Sequence, residues 1–553
     1  MIGLVVATAS GRRGAERLAM LGETRTYEVS DLAAAWRDCD QLVCFLATGA
    51  VVRLIAPLLK DKESDPGVVC VDEAQRFAIA LTGGHGGGAN ALADQIADVL
   101  AAQAVISTAT DGVGIPGLDT IGWPVEGDVA GVSRALLDGE PVRLVADATW
   151  PLPPLAVGSM GDVTLRITDR LDSDTAYSAA SGVSAVLRPP SLVLGIGTSR
   201  GVSAAELDQL VDTALAGLSP LSVTAVASVH AKADEPGLLE LCSLRGWPLV
   251  TYPADELAAV EVPNPSPEPM RVLGTPSVAE AAALLHSGGE LVVEKTKSAM
   301  ATVAIARRRP RGRLALVGLG PGARDLLTPR AREALRSSAV WVGLDQYVDQ
   351  VRDLARPGTT FEVTGLGQEE ERAHSAVRLA QQGFSVALLG SGDAGVYAMA
   401  SPALEAAGDD IDVVGIPGVT AALAASSLLG APLGHDHASI SLSDLHTPWE
   451  AIEQRIRAVA EADLVVTFYN PRSRGRDWQL PKALSMLLEH RPATTPVGIV
   501  TDASRPAEQV LLTTLGELDP ALVTMLACVV VGSSQTRLVA GRMVTPRGYR
   551  WHT

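Results

Sequence analysis

Short apolar runs alternate with amphipathic stretches along most of the chain. The runs at residues 2–8 and 42–47 predict strands, because each is short, rich in branched side chains and followed by polar residues. Apolar positions at helical spacing come next, at residues 12–21 and 51–59, and predict helices. The alternation restarts at Ser191 and again near Arg313. The pattern therefore predicts an α/β fold built from repeated βα units.

Three stretches depart from this pattern. Residues 126–190 contain WPLPP and short alternating runs, which predict a small insert with strands. The proline-rich residues 263–269 predict a loop, and the arginine-rich residues 306–313 predict a solvated linker. A chain of 553 residues also exceeds one hydrophobic core. We expect an N-terminal α/β domain at 1–125, a middle insert at 126–190, a further α/β domain at 191–305, a linker at 306–312 and a last domain at 313–553.

Composition removes several classes of function. The formal charge of -18 argues against a nucleic-acid partner, since binding to phosphates needs a basic surface. The five cysteines are scattered without a CxxC spacing, so we expect neither a disulfide framework nor a metal site. No apolar run is long enough and free enough of charge to cross a membrane. We expect a cytoplasmic protein without a membrane partner.

Glycine-rich loops follow several predicted strands of the last domain. One of them alone, VGLGPG at 317–322, is weak evidence, because such loops form wherever the chain turns tightly. The ordered set is more informative. It consists of VGLGPGARDLLT at 317–328, GSGDAGVYAMASP at 390–402, GIPGVTA at 415–421, SLSDLHTPW at 441–449, FYNPRS at 468–473 and GRMVTPRGY at 541–549.

This set resembles the tetrapyrrole methylase family, and its last three motifs resemble the precorrin-3B C(17)-methyltransferases of vitamin B12 biosynthesis. The resemblance implies the two-lobed fold of class III methyltransferases, with S-adenosyl-L-methionine in a cleft between the lobes, and it implies a homodimer. The implied cofactor-binding residues are Pro321, Ser391, Gly392, Asp393, Val396, Thr420, Ala421, Tyr469 and Asn470. For Asp393 the alternative is a turn or helix-capping role.

The chemistry implied by this resemblance needs little acid-base catalysis. A sulfonium methyl group is already activated, so the protein chiefly aligns it with a ring carbon in a dry pocket. The ring contraction expected of this family does use a base or proton shuttle. Asp444 is the first candidate, and His435, His437 and His446 are others; each could instead be structural.

The implied substrate, precorrin-3B or its cobalt counterpart, carries many carboxylates, and the sequence does not decide between the two. An acidic protein must bind such a molecule at a locally positive site. We expect arginines near the FYNP loop and in the terminal motif to form ion pairs with its acid arms. The alternative for each is a solvated surface charge. These candidates are Arg472, Arg474, Arg476 and Arg547.

Residues 1–305 resemble the cobalt-precorrin-5A hydrolases through TGGHGGGANALA at 82–93, GIGTSRGVSAAEL at 195–207, SVHAKADEPGLLEL at 228–241, and SVAEAAALL with LVVEKTKSAMATVAIAR within 277–307. The resemblance implies hydrolysis of the lactone made by ring contraction. His85 is the candidate base, beside glycine amides that could bind an oxyanion. It could instead bind substrate carboxylates. Three charged residues of the matched segments, Lys232, Glu235 and Lys295, are candidates for carboxylate binding or for the chemistry. The alternative for each is a surface charge.

One departure leaves the role of the N-terminal half open. The family reads GIGCR where this chain reads GIGTS, so Thr198 and Ser199 occupy the cysteine and arginine positions. Two hypotheses follow: a fusion of a methyltransferase with an active hydrolase, or a methyltransferase fused to a non-catalytic tetrapyrrole-binding module. A third has the methylase acting at another ring carbon or on a different acceptor.

Overall fold

We analysed a computed structural model, which describes residues 1–61, 64–108, 114–171, 182–473 and 475–549. The chain forms two compact units. The first consists of Met1–Thr149, Pro154–Pro310 and Arg356–Gly358, and the second of Trp150–Pro153, Arg311–Ala355 and Thr359–Thr553. The predicted α/β class is confirmed. The predicted domain bounds stay predictions.

The first unit begins with a mostly parallel sheet of order β2-β1-β3-β4-β5-β6. Its strands are β1 Ile2–Val6, β2 Thr24–Glu28, β3 Gln41–Phe45, β4 Gly67–Val71, β5 Phe77–Thr82 and β6 Gln103–Val105. Its helices are α1 Ala9–Leu18, α2 Leu32–Asp38, α3 Thr48–Ile55 and α4 Ala89–Leu100. Thr8 begins α1 by accepting the amide of Gly11 at 3.0 Å, as a helix-capping threonine does.

The second sheet has the order β7-β11-β10-β8-β9. Its elements are β7 Val125–Gly127, α5 Val129–Asp138, β8 Val142–Ala146, β9 Val157–Gly158, β10 Val163–Ile167 and β11 Ser184–Leu187. The sequence predicted strands here and missed α5. Its signals were present, because Asp128 caps the helix through the amide of Gly131 and Gly139 ends it in the left-handed conformation.

The third sheet of this unit has the order β14-β13-β12-β16-β15. Its strands are β12 Leu192–Thr198, β13 Val223–Val229, β14 Leu249–Tyr252, β15 Glu290–Lys297 and β16 Ala301–Arg307. Its helices are α6 Ala204–Ala214, α7 Pro236–Arg245, α8 Ala254–Ala258, α9 Pro267–Leu273 and α10 Ala279–Ser287.

Two predictions about this region were partly wrong. The predicted loop at 263–269 ends in helix α9, which begins with Pro267 at a position where a missing amide costs nothing and ends before Gly274. Strand β16 continues through Ala306 and Arg307, so the first two residues of the predicted linker belong to this strand. Arg307, predicted to be solvated, instead donates to the carboxylate of Asp169 through Nε and Nη2, at 2.7 and 2.8 Å. Asp169 is 3% exposed.

The second unit contains two lobes. The first lobe is a parallel sheet of order β19-β18-β20-β17-β21. Alternate residues of β17 are buried on opposite faces: Leu314 and Leu316 join one apolar cluster, and Ala315 and Val317 join another, so helices cover both faces. Its elements are β17 Arg313–Gly318, α11 Pro329–Ser337, β18 Val340–Leu344, α12 Asp345–Val351, β19 Thr360–Thr364, α13 Glu369–Gln381, β20 Ser385–Gly390, α14 Ala400–Ala406 and β21 Asp412–Ile416.

The second lobe is a mixed sheet of order β23-β24-β27-β25-β26, beside a smaller sheet of order β22-β29-β28. Its elements are α15 Ala421–Leu429, β22 Gly430–Ala431, β23 His437–Ser441, α16 Trp449–Glu461, β24 Val465–Tyr469, α17 Gln479–Leu488, β25 Pro496–Thr501, β26 Gln509–Thr514, β27 Ala527–Val531, β28 Arg537–Val539 and β29 Arg542–Val544. Short 3₁₀ helices lie at Ala19–Leu21, Val29–Asp31, Leu118–Thr120, Pro220–Ser222, His230–Lys232, Arg324–Leu326, Arg352–Leu354 and Pro520–Leu522.

Candidate active site

A cavity of about 1790 Å³ lies within the second unit. The loops that follow β17 and β20 in the first lobe line one side of it, and residues after β24 and β25 in the second lobe line the other. All the residues predicted to bind the cofactor line this cavity except Asp393. They are Pro321, Ser391, Gly392, Val396, Thr420, Ala421, Tyr469 and Asn470.

The glycine loops approach each other closely at the cavity. Gly320 and Gly392 exchange two backbone hydrogen bonds of 3.0 and 2.8 Å, and both have positive φ, at 75° and 68°. A Cβ atom on Gly318 would lie 2.7 Å from the amide nitrogen of Gly418. Only glycine permits these conformations and distances at low cost. The loops therefore present main-chain groups rather than bulky side chains at the cavity.

Asp393 has the turn role that the sequence left as its alternative. One carboxylate oxygen accepts the amide of Gly395 at 2.8 Å, and the other accepts the amide of Gly418 at 3.0 Å. The side chain thus ties the loop after β20 to the loop after β21. It supports the cavity from behind, because its oxygens point to backbone amides and it does not line the cavity.

Tyr469 fixes the start of helix α15 at the cavity. Its hydroxyl accepts the amide of Ala422 at 2.8 Å and lies 2.7 Å from Oγ1 of Thr420. The residue is 9% exposed, and burial raises the pKa of its phenol above the ordinary value. A buried neutral hydroxyl that satisfies a helix-terminal amide stabilises the local structure. Tyr469 therefore positions Thr420 as well as lining the cavity.

Strained backbone positions cluster at the cavity. Tyr397, Asn470 and Asp502 line it and have φ of 52°, 50° and 49°, a region that non-glycine residues rarely adopt. Each such position costs on the order of 1–3 kcal/mol and persists only where the surroundings impose it. Side-chain bonds hold two of them: Asn470 donates to Oγ of Ser441 at 3.1 Å, and Tyr397 donates to the carbonyl of Ser439 at 2.8 Å. This clustering is typical of functional sites.

The four predicted substrate arginines separate in the structure. Arg476 lines the cavity, where its Nε donates to Ser473 at 3.2 Å and one terminal nitrogen is buried without a partner among the described residues. Arg472 instead donates to the carbonyl of Ala521 at 3.2 Å and does not line the cavity. Arg547 is exposed and away from the lining, and Arg474 lies outside the described residues. Arg476 is therefore the one of the described candidates that the geometry supports.

The candidate proton shuttles separate in the same way. Asp444 lines the cavity and accepts a hydrogen bond from Gln479 at 3.0 Å, and His446 lines it beside Asp444. His435 and His437 lie near the start of β23 outside the lining, where His437 bonds the carbonyl of His435 through Nδ1 at 3.1 Å. Asp444 and His446 are therefore the candidates in reach of a bound molecule.

Sequence reasoning missed several residues at the cavity. Tyr397 lines it and lies inside the motif at 390–402. Arg505 lines it as well and belongs to the DASRP segment that follows β25. Arg455 on α16 and Cys528 on β27 line it too, and burial raises the pKa of the Cys528 thiol to about 12. A polar segment directly after a predicted strand was the available signal for Arg505. Nothing local marked Arg455 or Cys528.

In the first unit, His85 lines a smaller cavity of about 520 Å³ together with Gly86, Gly87 and Gly88. Of the glycine amides predicted to bind an oxyanion at the start of α4, that of Gly88 is already bonded. The amides of Gly88, Ala89 and Asn90 donate to carbonyls of the same loop, at 2.8, 3.0 and 3.0 Å. The glycines thus let the loop bond to itself, which leaves those amides closed to an oxyanion.

The predicted carboxylate ligand Lys232 is already paired. Its ammonium lies 3.1 Å from Glu235, which is 5% exposed and also accepts the amide of Gly201 at 2.7 Å. Burial alone would raise the pKa of Glu235, but these two partners outweigh it and hold the pKa below the ordinary value. Lys295 likewise donates to Ser266 at 2.8 Å. Oγ1 of Thr198 is buried, with no hydrogen-bond partner in the part of the chain that the structure describes.

The comparisons with known proteins match this division of the chain. The family model for Tetrapyrrole (Corrin/Porphyrin) Methylases matches residues 313–519. The models for Cobalamin synthesis G C-terminus and Cobalamin synthesis G N-terminal match residues 192–306 and 31–111. A probable cobalt-factor III C(17)-methyltransferase of Salmonella typhimurium is 47% identical over 239 residues, which cover 43% of this chain and 99% of the relative. The chain belongs to the tetrapyrrole methylases.

A second relative supports the same assignment of the methylase region. The precorrin-3B C(17)-methyltransferase of a Sinorhizobium species is 39% identical over 249 residues, which cover 43% of this chain and 97% of that protein. A crystal structure of the methyltransferase CobJ aligns with 42% of this chain and 100% of its own, at 36% identity and a TM-score of 0.41. The predicted fusion of this methylase with a cobalt-precorrin-5A hydrolase-like region is confirmed. In the described part of the chain, no helix has the length and apolar character that a membrane crossing requires.

Proposed function

We propose that the second unit is an S-adenosyl-L-methionine-dependent methyltransferase that acts at C-17 of precorrin-3B or its cobalt counterpart and promotes ring contraction to precorrin-4. The observation that carries the proposal is the cavity at which the predicted donor-site residues converge from both lobes. The named functions of the two relatives, which this chain covers almost completely, support the choice of reaction.

The residues at the cavity fit such a donor. The glycine loops offer main-chain groups to its polar parts, and Gly392 and Ala421 leave room for a folded ligand. A Cβ added to Gly392 would be in van der Waals contact with Thr420, 3.5 Å from its Cα. When bound, the donor supplies a methyl group already activated by its sulfonium. The chain then has to align the two reactants and exclude water.

Two further residues serve the macrocycle. The unpartnered buried nitrogen of Arg476 provides a site for a carboxylate arm, because a guanidinium binds carboxylates with paired hydrogen bonds. Asp444, with His446 beside it, takes up and returns protons during ring contraction. Arg472 and Arg547 are left out, because they do not line the cavity.

The first unit is a hydrolase that opens the lactone of cobalt-precorrin-5A, with His85 as base. Its match to both parts of the cobalamin synthesis G family supports this. The competing hypothesis, a module that only binds the tetrapyrrole, is favoured by the bonded amides of Gly88, Ala89 and Asn90 beside His85 and by Thr198 in the cysteine position. The hydrolases that this unit resembles release the extruded two-carbon unit as acetaldehyde when the lactone opens. Acetaldehyde released by the full chain from the lactone substrate therefore supports the hydrolase, since a binding module releases none.

The decisive experiment for the methylase has two stages. Calorimetry with S-adenosylhomocysteine, the demethylated product, should detect binding to the full chain. Incubation with methyl-labelled donor and precorrin-3B or its cobalt counterpart, followed by NMR, should place the label at C-17. Absence of binding contradicts the proposal as a whole, whereas label at another ring carbon contradicts only the position.

The assembly and location follow the family. The protein is a cytoplasmic homodimer that pairs through its methylase region. Light scattering of the full chain should give twice the monomer mass, and a monomer mass would contradict the dimer.

A further inference from the structure

The first glycine loop is held from both lobes of the second unit. On its own lobe, Gly320 bonds to Gly392 in both directions. From the other lobe, Nε of Arg505 donates to the carbonyl of Pro321 at 2.9 Å. Pro321, Gly392 and Arg505 all line the cavity. One arginine thus joins the two walls at the level of the main chain.

The side chain of Arg505 is itself held in place. It is 23% exposed, and a terminal nitrogen lies 3.7 Å from the carboxylate of Asp502, whose φ is 49°. The amide of Asp502 donates to the carbonyl of Leu526 at 3.1 Å, which keeps this strained turn on the second lobe. The backbone from which the Arg505 side chain extends is therefore held rigidly on the second lobe.

Gly322 provides the complementary surface on the first lobe. A Cβ atom there would lie 2.8 Å from both Cγ and Nε of Arg505. The guanidinium stem thus packs directly over this glycine, and any side chain at 322 would displace it. Contact and hydrogen bond together set the separation between the loop and the second lobe.

We propose that Arg505 is a positioning residue that couples the two lobes, by fixing the Pro321 loop against the loop of Ser391 and Gly392. The inference rests on the proposed function for its kinetic consequence. Methyl transfer depends on alignment, and a displacement of about 1 Å costs about a hundredfold in rate. Arg505 acts through Pro321, whose carbonyl it holds, and takes no part in bond making.

The test compares Arg505→Ala and Arg505→Lys with a matched control, Arg457→Ala. Arg457 is an exposed arginine of α16 that pairs with Glu453 outside the cavity. Lysine keeps the charge but lacks the planar Nε donor. We expect kcat for methyl transfer to fall about ten- to a hundredfold in both Arg505 variants, while the Kd for S-adenosylhomocysteine changes less than about threefold. The Arg457 variant should match the wild type.

Two further readouts separate positioning from general stability. Hydrogen exchange should speed up in peptides covering 314–327 and leave peptides of β25 and β27 unchanged. Added guanidinium ion should restore part of the rate to the alanine variant and none to the lysine variant. Wild-type rate together with wild-type exchange at 314–327 in the Arg505 variants would overturn the proposal.

Two further outcomes also accept or reject the proposed role of Arg505. Should the alanine variant lose the exchange protection of the whole second lobe, the lysine variant gives the answer, since it preserves the stem that packs on Gly322. Should wild-type protein bind no S-adenosylhomocysteine, the proposed function fails, but the exchange comparison still accepts or rejects the coupling between Arg505 and Pro321.

Discussion

The two units differ in what their candidate residues contact. In the second unit eight of the nine cofactor-binding candidates line one cavity, and Arg476 keeps a buried nitrogen without a partner in the described structure. In the first unit Lys232 is paired with Glu235, and the loop around His85 bonds to itself. Both regions carry family motifs in sequence, although those of the methylase region are the more specific. The difference teaches that a motif locates groups, while their partners decide whether those groups can bind a ligand.

The largest effect should come from a charge that the first unit uses structurally. Asp169 accepts both Nε and Nη2 of Arg307 and the hydroxyl of Ser191 at 2.6 Å. Asp169→Ala leaves a partly buried guanidinium unpaired and should cost about 3 kcal/mol. Native-state hydrogen exchange of β12 and β16 measures it. The exposed Glu268, 2.7 Å from the exposed Arg271, is the control, and Glu268→Ala should cost less than about 0.5 kcal/mol. Equal effects would refute a structural role for the Asp169 pair.

A smaller effect is expected at Tyr469. Tyr469→Phe leaves the amide of Ala422 without its acceptor and should destabilise the second lobe by about 1–2 kcal/mol. Because burial raises the folded pKa of Tyr469, the wild type should also lose stability as the pH rises above about 10, where the unfolded phenol ionises. The phenylalanine variant should lack this alkaline loss. Tyr397→Phe, which removes a bond to a single carbonyl at the surface, should change stability less, and the reverse order would contradict this account.

The cavity itself is tested at Gly392. Gly392→Ala places a Cβ at φ 68° close to Thr420 and should weaken binding of S-adenosylhomocysteine about tenfold, near 1.4 kcal/mol. Gly541 has φ 73°, and no described atom lies within 4 Å of the point where its Cβ would be, so Gly541→Ala carries the same strain away from the cavity. Calorimetry should find its affinity unchanged. A comparable loss in both variants would mean that strain, and not the cavity, governs binding.

The smallest effect is expected at the ion pair of Lys232 and Glu235 in the first unit. Lys232→Met should cost about 1 kcal/mol, because Glu235 keeps only the amide of Gly201. With its pKa held low, Glu235 stabilises the fold above the ordinary carboxyl range and loses that contribution as the pH falls through its folded value. In the variant this acid loss should begin at higher pH.

Binding gives the second half of that test. Tetrapyrrole affinity should be the same in Lys232→Met and in the exposed control Lys297→Met. A loss of tetrapyrrole affinity in the Lys232 variant alone would show that Lys232 binds the substrate. The two units would then differ less in whether their candidate residues are free to bind a ligand.

The sequence predicted what depends on local pattern. Strands with continuous apolar runs, such as β12 and β17, and glycine loops with small residues were found from the residues alone, and the family motifs led to Ser391, Gly392 and Tyr469. Helix α5 was also within reach, since Asp128 and Gly139 mark its ends.

Contacts between residues that are far apart in the sequence could not be predicted from local pattern. The bond from Arg505 to Pro321 joins two lobes, and Arg307 leaves the predicted linker for a partner 138 residues earlier. The closed loop at Gly88 depends on turn geometry rather than composition. The ion pair of Lys232 and Glu235 is a local contact, and its spacing of three residues is visible in the sequence. The sequence did not show that the two side chains bind each other rather than a substrate.

The position of β27 affects how the chain is made. This strand lies between β24 and β25, where Val531 pairs with both Val466 and Val497. A ribosome releases residues in order, so the sheet of the second lobe stays divided until β27 has emerged, whereas the first lobe has all its strands by Ile416. During synthesis one edge of β24 and one edge of β25 therefore stay unpaired until β27 emerges. Chaperones that recognise exposed apolar strands should therefore associate with nascent chains at that stage.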